Sequence, residues 1–182
     1  MRRQQQSLAP AAVAPMQRVP GLAYGVLDDL LGYALRRAQN ALYLDFSRAA
    51  AAFDVTPARF AALVLIDANP ALTQNILAQA MGIDRSGALR LADWLGARGL
   101  AERRPIEGDA RSWGLHLTDK GRRTLKDMIV AVRAHDKTMA ARLGVEAAQL
   151  KLLLERLASP PARAQKKMTR GGSNAFPTSP GS

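Results

Sequence analysis

Arg85, Ser86 and Arg90 share one edge of a helical repeat, with Ser86 and Arg90 one turn apart. A guanidinium can bond two acceptors at once, so these arginines suit a guanine edge or a phosphate, and a serine hydroxyl suits either. Further along, Arg103, Arg104 and Arg111 bracket a polar turn that carries Asp109. A carboxylate two residues before an arginine can hold it extended by a charge-assisted bond. An extended guanidinium can then enter a narrow groove where negative potential concentrates. The plain alternatives are an ordinary solvated helix face and an exposed Asp–Arg pair of little energetic value.

The elements that must position these groups follow from periodicity and punctuation. Ala88, Leu91, Ala92 and Leu95 form a buried stripe, which leaves Arg85, Ser86, Leu89, Arg90 and Asp93 on the opposite face. Asp84 caps this helix, which runs to Ala97 with Gly99 after it. A shorter helix precedes it, about Gln74 to Met81, capped by Thr73 and ended by Gly82. Two short helices joined by a tight glycine turn make a helix-turn-helix over about 73–98. The period then changes to that of strands, over 100–104 and 112–117, around the turn Pro105–Arg111. Trp113, Leu115 and Leu117 alternate with Ser112, Gly114 and His116, predicting one buried face and a wing over about 100–118.

Long helical patterns flank this centre. From Leu22 to Phe53 nothing breaks a helix, and apolar residues recur at Leu27, Leu31, Ala34, Leu35, Leu42 and Phe46. Thr56-Pro57 opens a further helix that turns Phe60, Leu63 and Val64 inward and stops before Asn69-Pro70. Thr118 caps a helix to about Leu143, and after Gly144 a last one, Val145 to Ala158, carries Leu150, Leu153, Leu154 and Leu157. The predicted fold class is mainly α with a small β-wing, a winged helix-turn-helix core within residues 21–158. Its flanking helices, about 22–53 and 119–158, are candidates for dimerisation. Residues 1–20 and 159–182 read as disordered basic tails.

Composition narrows the chemistry. The chain of 182 residues is 48% hydrophobic but only 5% aromatic, which favours helices over an all-β fold. With no Cys, disulfides, zinc–thiolate sites and thiol redox sensing are excluded. The formal charge of +11 comes largely from the ends: three basic residues in 1–20 and four in 159–182, with no acidic ones. Residues 21–158 carry a net +4, which the segment Arg85–Arg123 accounts for entirely with nine basic and five acidic groups. A localised patch is a better phosphate-binding signal than overall charge. No run approaches the ~18 apolar residues of a membrane span, and the Pro-broken N-terminus is a poor signal-peptide core, so a cytoplasmic protein with no membrane partner is expected. His116 and His135 lack a nearby nucleophile or a second metal ligand, so no catalytic residue, metal or cofactor is expected.

The run Gly99-Leu100-Ala101-Glu102-Arg103, then Asp109-Ala110-Arg111, then Leu117-Thr118-Asp119-Lys120-Gly121 resembles the wing signature of the MarR family of transcriptional regulators. The resemblance covers about residues 24–158. It implies an obligate homodimer built by the first and last two helices, a recognition helix at about Ile83–Arg98 and a pseudo-palindromic double-stranded DNA operator. By similarity Ser86 and Arg90 match recognition-helix contacts and Asp109 and Arg111 the wing pair, while Arg103 or Arg104 supports the wing or a phosphate. One departure stands out: Ser86 is followed by Gly87 where many members have Thr, removing a hydroxyl and weakening the helix by roughly 0.5–1 kcal/mol. Leu31–Gln39 resembles the first helix of the subgroup that answers to hydroxycinnamoyl-CoA thioesters. There Arg36 or Arg37 could pair with phosphate or carboxylate, and Tyr33, Tyr43 and Phe46 could line an apolar slot for a small aromatic effector. Equally, these aromatics could be core or interface residues and the arginines solvated. The expected function is a dimeric repressor of an aromatic-catabolic operon. The competing expectation is a non-specific architectural DNA-binding protein that uses its basic tails.

Overall fold

The computed structural model describes residues 14–159, except the side chains of residues 109–111. Residues 1–13 and 160–182, most of the expected tails, lie outside the described residues. The chain divides into two units at Asp136/Lys137. The elements are α1 (Leu31–Ala49), α2 (Pro57–Ala68), β1 (Leu72–Thr73), α3 (Gln74–Met81), α4 (Arg85–Ala97), β2 (Ala101–Ile106), β3 (Asp109–Leu117), α5 (Asp119–Leu143) and α6 (Ala147–Ala158). Single 3-10 turns lie at Gly25–Asp28, Ala51–Phe53 and Gly144–Glu146.

Helix starts follow the capping residues closely. Thr56 Oγ1 accepts from Arg59 N at 3.3 Å, Thr73 Oγ1 from Ile76 N at 3.3 Å and Asp84 Oδ1 from Gly87 N at 2.5 Å. Each bond satisfies a donor that a helix start leaves free. The core gathers α2, α3, α4, the sheet and α5: Leu63, Ile66, Leu77, Leu95, Leu115 and Met128 are its largest fully buried side chains. Two guanidiniums lie over the Trp94 ring, Arg59 3.7 Å and Arg98 4.4 Å from its centre. Burial, first among the influences on Arg59, lowers its pKa from the ordinary arginine value. This stack ties α2 to α4.

The sheet is antiparallel in the order β1-β3-β2. Its shortest strand was not legible in the sequence, because two residues carry no period. Leu72 pairs with Leu115 and Thr73 with Gly114. A Cβ at Gly114 would lie 2.6 Å from Ala71 Cα, so only glycine lets the chain cross there. At the other end of β3, Thr118 Oγ1 donates to Gly99 O at 2.6 Å and accepts from Gly121 N at 3.0 Å. A Cβ at Gly121 would sit 1.9 Å from Leu100 O. The Leu-Thr-x-x-Gly run is thus the joint that seats α5 on the end of α4.

Several expectations change. The single helix over 22–53 is shorter, beginning at Leu31 and ending at Ala49. Burial of Ala50 and Val55 around a 3-10 turn, with Asp54 in the left-handed region and paired to Arg98, bends the chain without a Gly or Pro signal. Residues 14–20, expected within a disordered tail, lie against α1. Asn40 there donates to Ala14 O at 3.0 Å and accepts from Met16 N at 2.8 Å, and Arg18 pairs with Asp28. Val64 is exposed, whereas Leu63 is buried as expected, together with Ala62 and Ile66. Trp113 is 53% exposed, because β1 covers β3 only at Gly114 and Leu115 and the hairpin projects past the core.

Candidate nucleic-acid interface

The exposed side of α4 carries a relay of polar groups. Arg90 donates to Ser86 Oγ at 2.9 Å, and Ser86 donates to Asp84 Oδ1 at 3.0 Å. Bonds from Gly87 N and then Ser86 hold the Asp84 carboxyl below the usual carboxylate range. A Cβ at residue 87 would come within 2.9 Å of that carboxylate, so Gly87 permits the close cap. Arg85 points elsewhere, its Nε donating to Asn75 Oδ1 at 3.0 Å on α3. The helix therefore presents two preorganised guanidiniums, one on each side of its first turns.

The wing is anchored to this helix. Arg103 on β2 pairs with Asp93 on α4 at 2.6 Å, so it braces the wing. Arg104 donates through Nε to Glu102 Oε1 at 2.9 Å. The turn is tighter than the sequence suggests, with Glu107-Gly108 between Ile106 and Asp109, which pair across it. Asp109 and Arg111 belong to β3 by backbone, but their side chains lie outside the described residues. Between α3, α4 and the wing opens a cleft of about 450 Å³, lined by Thr73, Gln74, Asn75, Arg85, Leu89 and Trp113 among others. Sequence reasoning missed Asn75 and Trp113 as members of this surface. Asn75 gives no motif signal, and the strand alternation placed Trp113 inside.

The candidate effector residues lie along α1. Tyr33 faces Tyr24 with ring centres 6.2 Å apart. Arg36 is exposed and Arg37 half-buried. Phe46 is 8% exposed, packed against Phe60 at 5.9 Å and edge-on to His135 at 6.3 Å. From Tyr33 to Phe46 the helix rises about 20 Å, so these five residues do not form one compact group. Among the described residues there is no group of three acidic, His or Cys side chains placed to hold a metal. No helix among them is long and apolar enough to cross a membrane.

Two short helices joined at Gly82, a wing braced on the second, and guanidiniums along its open side define a winged helix-turn-helix DNA-binding regulator. The model of the MarR family matches residues 53–112. A regulatory protein named for the hcr operon of Thauera aromatica is 36% identical over 138 residues, 75% of this chain and 83% of that protein. The repressor CouR bound to a 23-mer DNA duplex superposes with a TM-score of 0.72 at 39% identity, over 76% of this chain and 99% of that one. CouR bound to p-coumaroyl-CoA gives 0.70 at 38%, with the same coverage. The chain belongs to the MarR family, and is a transcriptional regulator rather than an enzyme.

Proposed function

We propose that the chain is a repressor acting in the cytoplasm, which binds a pseudo-palindromic operator as a homodimer and releases it on binding an aromatic acyl-CoA thioester. The carrying observation is the open side of α4, with Arg85, Ser86 and Arg90 beside the braced wing, in a chain similar to a repressor solved on DNA. In this reading α4 enters the major groove, Ser86 and Arg90 read bases, and Arg111, held by Asp109, reaches the minor groove. Arg103 and Arg104 act on the wing and on nearby phosphates.

The thioester is favoured over a free aromatic acid by the spread of Tyr33, Arg36, Arg37 and Tyr43 along α1, while Phe46 is packed inside. A spread of this length suits an elongated ligand better than a single aromatic ring, with Arg36 or Arg37 pairing with its phosphates. The similarity to CouR bound to p-coumaroyl-CoA points the same way. A thioester that prefers one dimer geometry displaces the DNA when that geometry separates the two recognition helices from successive grooves.

The test is binding to the duplex upstream of the chain's own gene, against excess random duplex at moderate salt. Arg90→Ala is expected to lower affinity mainly for the specific site, and Arg111→Ala to weaken both. p-Coumaroyl-CoA should release the operator, and p-coumarate or CoA alone should not. Arg36→Ala with Arg37→Ala should lose that release while keeping DNA affinity. Equal affinity for random duplex, lost when both tails are removed, identifies the architectural binder instead.

A further inference from the structure

Leu89 is the one large apolar residue on α4 that is open to solvent, at 47% exposure, while Ala88, Ala92 and Leu95 of the same helix are buried. It stands one turn after Arg85 and Ser86 and next to Arg90, within the first turns of the helix. Every charged neighbour on that side already has a direction: Arg85 to Asn75, Arg90 to Ser86, and Asp93 to Arg103. Leu89 has no such partner and, with Arg85, lines the cleft that Trp113 borders from the wing. An aliphatic side chain flanked by two guanidiniums suits a surface that is anionic at its edges and apolar at one point between them. In a DNA major groove, the C5-methyl of thymine is that apolar point, and a leucine has no donor or acceptor with which to read anything else.

We infer that Leu89 is a specificity-determining residue that packs on a thymine methyl group in each half-site. This rests on the proposed operator binding and deepens it by naming one base. Ser86 and Arg90 then read hydrogen-bonding edges, and Leu89 selects the T·A pair beside them by contact alone.

The test uses the full-length chain and the operator duplex with thymines replaced one at a time by uracil. That change removes the methyl and leaves base pairing and phosphates intact. One position per half-site is expected to lower wild-type affinity about fourfold, the factor for a single methyl-sized group withdrawn from burial. Leu89→Ala should bind the thymine and uracil duplexes equally, with an unchanged melting temperature because the residue is exposed. A wild-type chain that selects the operator but has no uracil-sensitive position overturns the inference alone. So does Leu89→Ala that keeps the fourfold difference. A chain with no preference for the operator over random duplex overturns the repressor reading, and the inference with it.

Discussion

The winged core and α6 are both rich in leucine, and they use it in opposite ways. In the core, Leu63, Leu77, Leu95 and Leu115 are fully buried by the chain's own elements. In α6, Leu150, Leu152, Leu153, Leu154 and Leu157 remain 38–61% exposed. The core helices are also finished individually, with side-chain caps at Thr56, Thr73, Asp84 and Thr118, whereas α6 starts at Glu146 without one. Leu150, Leu153, Leu154 and Leu157 follow the i, i+3, i+4, i+7 pattern of a single apolar stripe. The difference teaches where folding information is local and where it is shared. A short helix without a cap or a covered stripe is marginal by itself. In the proposed homodimer a second copy covers it.

The strongest way to break this comparison is at the joint between α4 and α5. Gly121→Ala would drive a methyl into Leu100 O, where backbone lies on both sides and neither can yield. A loss of at least about 3 kcal/mol in urea unfolding is expected, at the severe end for a single substitution. Gly144→Ala, ahead of α6, meets nothing within 4 Å and carries only the strain of a positive φ, about 1 kcal/mol. Equal losses at the two glycines would show that the joint is not special.

Side chains sharpen the same contrast at a smaller scale. Leu95→Ala should cost about 2–5 kcal/mol. That cost should not depend on protein concentration. Leu153→Ala should cost little in a lone chain, yet make stability and apparent mass depend on concentration if α6 is shared between copies. Sedimentation of Leu153→Glu is expected to show monomers with weakened operator binding. A Leu153→Glu chain that sediments as the wild type does would remove α6 from the interface.

The same division governs what could be read from the sequence. Thr73, Gly82, Asp84 and Gly99 announce α3 and α4 because caps act within a few residues, and the buried stripe of α4 follows from its period alone. The exposed edge with Arg85, Ser86 and Arg90 is that stripe's complement. The end of α1 was not legible, since Ala49–Ala52 holds no breaker and the bend accompanies tertiary burial of Ala50 and Val55, with Asp54 paired to Arg98, 44 residues away. Trp113 was misplaced because alternation reports the pleat but not where the core ends. Asn75 was missed because its bond to Arg85 is a tertiary contact. For Tyr33, Arg36, Arg37 and Tyr43 the sequence offers residue types without a shape.

Thr118→Val tests the joint more gently. It keeps the size of the side chain and removes both the bond to Gly99 O and the cap on Gly121 N. About 1–2 kcal/mol is expected from the lost cap, read by thermal unfolding.

The smallest effect concerns Asp84, whose charge and cap are separable. Its carboxyl is held below the usual range in the folded chain, chiefly by the Gly87 backbone bond. A lowered folded pKa means that ionisation favours the folded state. The contribution is complete above the ordinary carboxylate value of 3.8 and is lost as pH falls through the lower folded value. Asp84→Asn keeps an acceptor at the cap position and removes the titration. Wild type and variant should therefore differ slightly at neutral pH and converge as pH falls through the lowered folded value, beneath which the aspartate is protonated in both states. Ser86 would lose its charged acceptor in the variant, loosening the relay to Arg90, so operator affinity should fall at neutral pH even where stability barely changes. If affinity follows stability instead, Asp84 is a helix cap only and does not orient the reading surface.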